Sequence, residues 1–511
     1  MPLELLQTIL RQLDRLLSFF GLQSVEIFRW RLGRNGLPRN EHNVLHTPSN
    51  MRPLLDLQKE VISLFLEPCD IHRMRYMSLC LKEEYQKKLK SSTACQERGT
   101  FIALDLGGST LRVAVIELCT RADPNGGLSI RHMTVHKINE HVRQLFAKDF
   151  FDWMAAKAID TLRQCEHTQS LLHETVHVGL AWSFPIEQTS HRGGTIQPMG
   201  KGFKAHEGII GQDLGNLIEL ACRKRGLEVR VSAIVNDSSA TLLSQAYKDP
   251  ATTVGLILGT GTNAAIYLPV NLLGADKFGK RDAEWFTQAE KVIINTELSM
   301  FGKGILPVTR WDENLNRNHI CPDFQPLEYM TTGRYLSEIF RLVIAEAVDT
   351  CHLFDGVLPE PLQGRYTLDT ALLAAIEEDT TKGCISSAER IQKEFKLLCV
   401  PTPAEMRFLR LLTESISHRA AAYIATTIHA LWMLEHDPML EVTSKTIVAA
   451  NGSVISMYPG FRDRCQQYAN ELVAASQSSA SSRSRHEITI RPTEEATLLG
   501  VAVAVAVSGA T

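Results

Sequence analysis

Apolar residues follow two patterns along this chain, helical spacing in some segments and short continuous runs in others. Helical spacing over residues 3–20 predicts an amphipathic helix, and similar patterns predict helices at 54–66, 74–89, 332–349, 416–435 and 494–508. Short apolar runs predict strands at 101–106, 111–118, 176–184, 231–235, 254–259, 264–268, 292–295 and 446–450. Because strands alternate with helices, the pattern predicts an α/β architecture with largely covered sheets.

A hairpin of strand, glycine-containing turn and strand occurs twice, at 101–118 and at 254–268. The repetition predicts a duplicated α/β core with one hairpin per lobe and a cleft between the lobes. The serine-rich stretch 476–484 is typical of a flexible crossing between lobes. We therefore expect three regions, which are a helical segment belonging mostly to the large lobe (1–98), a small lobe (99–235 plus 485–511) and a large lobe (236–484).

Composition narrows the possible functions. The net charge of −3 gives no electrostatic reason to expect a nucleic-acid partner. Eleven cysteines without a CxxC pair predict reduced, buried thiols rather than a disulfide framework or a zinc site. The best candidate for a membrane span, 496–507, is shorter than the ~18–20 residues a span needs, and the N-terminus has no secretory pattern. We expect a soluble, cytoplasmic protein.

The two glycine turns have the residue types that bind phosphates. Glycine lets backbone N–H groups approach phosphate oxygens, and Asp105 beside Gly107-Gly108-Ser109 adds a carboxylate able to hold Mg²⁺ directly or through water. Gly259-Thr260-Gly261 forms the second turn. Alone, each is better explained as an ordinary tight turn, but two in similar settings favour phosphate binding. The Walker A and GxGxxG motifs are absent, which excludes those two nucleotide-binding classes.

Asp237 follows an apolar strand directly, between the two hairpins. It has two interpretations. An aspartate at this point is commonly a helix N-cap. Alternatively, it is a general base, since phosphoryl transfer to an alcohol needs one carboxylate near the acceptor hydroxyl.

Eight ordered motifs resemble the hexokinase family over roughly residues 55–510. They are LDLGGSTLRV, WSFPIEQTS, MGKGF, IVNDS, LILGTGTNAA, INTELSMFG, FQPLEYMTTGRYLSEIFRL and VAANGSV. The resemblance implies the two-lobed actin/hexokinase/Hsp70-type ATPase fold, built from duplicated RNase H-like domains. It also implies ATP and Mg²⁺ as cofactors and a small-molecule sugar as substrate.

The resemblance also implies roles for individual residues. Asp237 matches the catalytic base that takes the proton of the sugar 6-hydroxyl, and Lys201 matches a lysine at the transferred phosphoryl group. The residues matching sugar ligands are Ser183, Asn236, Asn263, Glu297 and Glu328. The residues matching the ATP site are Asp105, Gly107, Gly108, Ser109, Arg112, Gly259, Thr260, Gly261, Gly452 and Ser453. Carboxylates and amides suit sugar hydroxyls, which both donate and accept hydrogen bonds.

The chain departs from the usual family pattern near the expected sugar site. The first hairpin reads Gly107-Gly108-Ser109-Thr110 where the family usually has GGTN. Gly200 stands at a position that is usually threonine, and Leu298 at one that is usually tryptophan. The combination of GGSTLR, AWSFP and TELSMFG is similar to the N-acetylglucosamine kinases of fungi, and the smaller Leu298 would make room for a C2 substituent. We therefore hypothesise N-acetylglucosamine as the acceptor, phosphorylated at O6. The alternatives are a glucokinase or broad hexokinase, and a non-catalytic sugar sensor on the same scaffold.

Overall fold

The computed structural model describes residues 52–88, 99–107, 110–118, 128–165, 175–184, 186–190, 192–199, 203–273, 290–436, 445–477 and 486–508. The predicted helix at 3–20 lies outside these residues, as does most of the serine-rich stretch. The strands β1 to β12 are Gly99–Leu106, Thr110–Leu118, Leu128–Lys137, Val176–Trp182, Ile186–Gln188, Gly194–Ile196, Val229–Val235, Thr252–Leu258, Thr262–Pro269, Lys291–Asn295, Lys445–Asn451 and Glu487–Pro492. The helices α1 to α16 are Leu54–Leu66, Ile71–Lys88, Glu140–Arg143, Ala147–Gln164, Leu214–Lys224, Asp237–Lys248, Arg310–Arg317, Pro326–Thr331, Gly333–Cys351, Glu360–Gln363, Thr370–Glu378, Ile385–Phe395, Pro403–Glu435, Ser453–Met457, Phe461–Ser476 and Ala496–Ser508.

Two five-stranded sheets share one strand plan. The first has the order β3-β2-β1-β4-β7 and the second has the order β10-β9-β8-β11-β12. In each, a three-stranded antiparallel meander is followed by two strands parallel to its first strand. The predicted duplication of a hairpin-containing α/β core is therefore confirmed.

The first sheet is buried on both faces. Ile102 and Leu104 of β1 lie in an apolar cluster with residues of α4 and α5, whereas Phe101 and Ala103 lie in a second cluster with residues of α16. A strand covered on both sides needs apolar residues at every position, which explains why its sequence shows a continuous run rather than alternation.

Most of the described helices contribute to the apolar core that contains the second sheet. Helices α1 and α2 pack on α13, a 33-residue helix that begins with a capping box between Thr402 and Glu405. The described part of the predicted N-terminal helical segment thus packs in the large lobe. Sequence periodicity indicated only residues 416–435 of α13, because the helix is buried around much of its circumference and its apolar residues do not form one stripe.

The C-terminal segment divides between the lobes, which corrects one predicted boundary. Ile488 and Ile490 of β12 pair with Thr446 and Val448 of β11, so β12 belongs to the second sheet. Within this C-terminal segment, α16 is the element that packs against the first sheet, where it contacts β1 and β4. The range 485–511 was therefore wrongly assigned as a whole to the small lobe, and the chain crosses between the lobes after β12.

The described cysteines are free thiols. Cys321 and Cys399 are exposed, which corrects the expectation that the thiols are buried. None of the described helices has the length and apolar character required to cross a membrane.

Candidate active site

The carboxyl ends of three parallel strands meet at one edge of the first sheet. Strands β1, β4 and β7 lie side by side and parallel, so their following residues come together. These residues include Gly107, Ser183 and Asp237. The backbone N–H of Ser183 donates to the carbonyl of Leu106 at 3.3 Å and joins the ends of β4 and β1.

Asp237 is the first residue of α6 and is held there by defined contacts. Ser183 Oγ donates to its Oδ2 at 3.2 Å, and the N–H of Ser238 donates to its Oδ1 at 2.8 Å. Negative charge near a helix N-terminus interacts favourably with the helix dipole. The side chain is half-buried, so it combines a fixed position with access for a ligand.

The helix cap belongs to Asn236 rather than to Asp237. Asn236 Oδ1 accepts hydrogen bonds from both the N–H and the hydroxyl of Ser238, at 2.8 and 2.6 Å. The interpretation of Asp237 as the N-cap is therefore wrong by one residue. The cap of α6 is thus supplied by the side chain of Asn236.

Two glycines bring α6 into backbone contact with elements on both of its sides. A methyl group on Gly255 of β8 would lie 2.4 Å from the carbonyl oxygen of Ser238. A methyl group on Gly500 of α16 would lie 1.8 Å from the carbonyl oxygen of Ala240. The first turn of α6 is thus clamped between the second sheet and the last helix, and Asp237 lies where the two lobes adjoin.

A second polar group gathers at the start of β9. Asn263 Nδ2 donates to Asn295 Oδ1 at 2.9 Å and lies 3.5 Å from Glu297 Oε1, while Asn295 Nδ2 donates to the same Glu297 oxygen at 2.7 Å. Glu328 Oε2 accepts from the N–H of Thr262 at 3.1 Å. The structure thus joins Asn263 to Glu297 and places Glu328 against Thr262, the residue before Asn263; these are three of the five residues that the sequence predicted to bind sugar.

Asn295 is a member of this group that the sequence analysis missed. It is the last residue of β10, and the predicted strand already ended there. Glu297 follows with a left-handed backbone, φ 49°. A conformation that non-glycine residues adopt at a cost of about 1–3 kcal/mol is retained only where the surroundings enforce it.

The second glycine turn forms a cradle with two other backbone segments. The N–H of Gly259 donates to the carbonyl of Gly261 at 2.9 Å, and Gly259 carbonyl accepts from Gly333 at the start of α9 at 3.0 Å. A methyl group on Gly259 would lie 3.2 Å from the N–H nitrogen of Ser453. Gly452 beside it has φ 125°, a region favourable only to glycine.

This cradle unites the predicted residues Gly259, Gly261, Gly452 and Ser453, and Thr260 lies exposed at its rim. Gly333 was not predicted. It lies within the quoted TTGRY sequence, and the signal that would have identified it is a glycine at the predicted helix start, where another backbone segment can approach closely.

The first hairpin holds an ion pair close to its turn. Asp105 and Arg112 are directly opposite each other in β1 and β2. Arg112 Nε donates to Asp105 Oδ2 at 2.8 Å, and its Nη2 bonds the same oxygen. Burial raises the pKa of the Asp105 carboxyl, and the neighbouring guanidinium opposes that rise. The hairpin itself closes through the N–H of Gly107 and the carbonyl of Thr110 at 3.0 Å.

Magnesium was predicted at Asp105. The described residues form no cluster of three or more side chains suited to hold a metal ion. Asp105 is a single carboxylate that already binds a guanidinium. It is compatible with a Mg²⁺ ion whose other ligands would be nucleotide phosphates and water, which is the usual arrangement for this ion.

Three predicted residues, Gly108, Ser109 and Lys201, lie outside the described residues. Leu298, predicted to line a roomier sugar pocket, is fully buried in the apolar core of the large lobe. A side chain with 0% exposure cannot form the wall of an open pocket. The pocket-wall argument drawn from this position is therefore wrong.

Comparison with known proteins points to one family. Two models described as hexokinase match residues 84–247 and 253–507. The hexokinase of Emericella nidulans is 31% identical over 417 residues, which span 81% of this chain and 80% of that protein. Hexokinase-1 of Saccharomyces cerevisiae is 29% identical over 420 residues, 81% of each chain. A solved structure of the Schistosoma mansoni hexokinase complexed with glucose covers 89% of this chain and 100% of its own, with a TM-score of 0.73 and 26% identity.

Proposed function

Because this chain belongs to the hexokinase family, we propose that it transfers the terminal phosphoryl group of ATP to the 6-hydroxyl of a pyranose sugar. One observation carries the proposal. The carboxylate of Asp237 accepts a hydrogen bond from Ser183 at the strand edge where the two lobes adjoin. A fixed, half-buried carboxylate in that position suits proton removal from an alcohol.

The remaining residues have roles that follow from their chemistry. Asn263, Glu297 and Glu328 bind sugar hydroxyls, because amides and carboxylates are matched donors and acceptors for them. Asp237 receives the proton of the 6-hydroxyl. The glycines of the cradle at Gly259 and Gly452 let phosphate oxygens approach the backbone closely. Bound Mg²⁺ would neutralise charge on the phosphates, and Asp105 is the carboxylate that would hold it.

Two further parts of the proposal rest on the family resemblance. Lys201 stabilises the charge on the transferred phosphoryl group, and Ser109 and Gly108 complete the first phosphate segment. Closure of the lobes excludes water, so that the sugar hydroxyl rather than water is the nucleophile.

For the acceptor we propose N-acetylglucosamine. The support comes from the resemblance of GGSTLR, AWSFP and TELSMFG to the fungal N-acetylglucosamine kinases, since the burial of Leu298 removes the steric argument. Glucose is the second candidate. It is favoured by the related proteins, which are named hexokinases, and by the glucose complex of the Schistosoma mansoni protein.

The test is Mg²⁺-dependent ADP release by the purified protein with N-acetylglucosamine, glucose, fructose and mannose. The position of the phosphate in the product is then assigned by ³¹P–¹H NMR. We expect product at O6 and the highest kcat/KM for N-acetylglucosamine. A preference for glucose would contradict the acceptor proposal and retain the kinase. No ADP release with any sugar, with sugar binding intact, would favour the sensor.

A further inference from the structure

The chain crosses from the second sheet to the last helix through three residues, Thr493 to Glu495. At the start of this crossover, both the N–H and the hydroxyl of Thr493 donate to the carbonyl of Ala450, at 2.9 and 3.1 Å. Ala450 is two residues before Gly452 of the cradle. The crossover is therefore anchored to the segment that leads to Gly452 of the proposed ATP site.

At its other end the crossover is attached to the first hairpin. Glu495 Oε2 accepts from Arg112 Nη1 at 2.7 Å. Arg112 directs its Nε and Nη2 to Asp105, so two carboxylates hold one guanidinium along different edges. Charge-assisted hydrogen bonds of this kind fix the plane of the guanidinium as well as its position.

The backbone of Glu495 adopts an unfavourable conformation at this contact. Its φ of 46° is left-handed, a conformation costing a non-glycine residue about 1–2 kcal/mol. The carbonyl of Glu495 accepts from Leu499 and so starts α16. The strained residue thus links the hairpin, the crossover and the helix that packs on α6.

We propose that Glu495 is a positioning residue that orients Arg112 toward the phosphates of ATP. It acts through Arg112 and does not itself bind the nucleotide. Since the crossover is also bonded to Ala450, the contact ties the two nucleotide segments, one in each lobe, to a common three-residue support. This inference rests on the proposed function for the identity of the ligand.

The experiment compares wild type with Glu495→Ala and Glu495→Gln, and uses Glu494→Ala as a matched control. Glu494 is the neighbouring, exposed glutamate of the same crossover. ATP affinity is measured by calorimetry with a non-hydrolysable analogue and Mg²⁺, sugar affinity by calorimetry with each sugar, and folding by thermal denaturation.

We expect Glu495→Ala to weaken nucleotide affinity and raise the KM for ATP roughly tenfold, the effect of losing one charge-assisted hydrogen bond. Sugar affinity should stay within twofold of wild type. Glu495→Gln keeps an acceptor oxygen and should recover part of the loss. In an Arg112→Ala background, Glu495→Ala should have no further effect on nucleotide affinity, because the residue acts through Arg112.

The outcomes separate the two proposals. Unchanged or improved nucleotide affinity in Glu495→Ala overturns the positioning role. An equal loss of nucleotide affinity in Glu494→Ala also overturns it, as does a full further loss when Glu495→Ala is added to Arg112→Ala. Wild type that binds the ATP analogue but phosphorylates no sugar contradicts the proposed function alone. Wild type that binds no ATP analogue overturns both.

Discussion

Replacing Gly500 with alanine tests whether the packing of the last helix positions the catalytic carboxylate. The added methyl group would lie 1.8 Å from the carbonyl oxygen of Ala240 and 2.4 Å from its carbon. Ordinary contacts between such atoms need about 3.5 Å, so α6 and α16 must separate by roughly 1.5–2 Å. The obstacle is backbone, which cannot rotate away as a side chain can.

The expected effect has two parts. Overpacking of this kind costs about 1–3 kcal/mol of stability. Asp237 lies three residues before Ala240 on the same helix, so its carboxylate moves with the displaced backbone. A misplacement of about 1 Å costs on the order of 10²-fold in turnover. We therefore expect kcat to fall about 100-fold, with a lower thermal midpoint.

The assay is steady-state ADP release together with thermal denaturation of the same samples. Gly364→Ala is the matched control, because Gly364 is exposed and its new methyl group would meet only the side-chain methyl of Thr367. That variant should keep wild-type kcat. A folded Gly500→Ala protein with wild-type kcat would refute the claim that this packing sets the position of Asp237.

Three other substitutions test separate parts of the molecule. Burial lowers the pKa of His429 from 6.5 to about 3, so stability present above pH 6.5 is lost as the pH falls toward 3. Urea denaturation should show a pH-dependent loss of stability between pH 6.5 and 5 that is about 2 kcal/mol smaller in His429→Gln than in wild type, and an equal loss in the two proteins would contradict the role of His429. Arg419→Met leaves the buried carboxylate of Asp312 unpaired and should cost about 3–5 kcal/mol of stability in the same assay, whereas a loss under 1 kcal/mol would contradict the ion pair. Gly452→Ala forces alanine to φ 125° and should raise the KM for ATP roughly tenfold or more in steady-state kinetics, with an unchanged KM arguing against the cradle.

Local sequence predicted the parts of the fold that depend on short-range pattern. The two hairpins were identified because a glycine turn between apolar runs has few alternatives. The assignment of β12 failed for a different reason. Which sheet a short strand such as 487–492 joins is decided by its pairing with a distant strand, here β11, and no local signal encodes that choice.

The candidate site shows the same division. The resemblance identified Asn263, Glu297 and Glu328, and in the structure Asn263 contacts Glu297 while Glu328 contacts the backbone of Thr262 at the start of β9. Leu298, the residue after Glu297, was wrongly predicted to line the pocket. Adjacent residues point in different directions, and a sequence motif does not specify the direction of each side chain. Glu495 was missed because its partner Arg112 is 383 positions away.

The central claim is that Asp237 is the base for phosphoryl transfer, and Asp237→Asn tests it most directly. Asparagine keeps one acceptor oxygen at the start of α6 and replaces the other with an NH₂ donor, and it cannot take a proton. A matched control is Asp369→Asn, an aspartate that caps α11 through the N–H of Ala371. Turnover of the preferred sugar and its calorimetric affinity are measured for both. We predict that Asp237→Asn lowers kcat roughly 10²–10⁴-fold with sugar affinity retained, while the control matches wild type. Turnover near the wild-type value in Asp237→Asn would contradict the account.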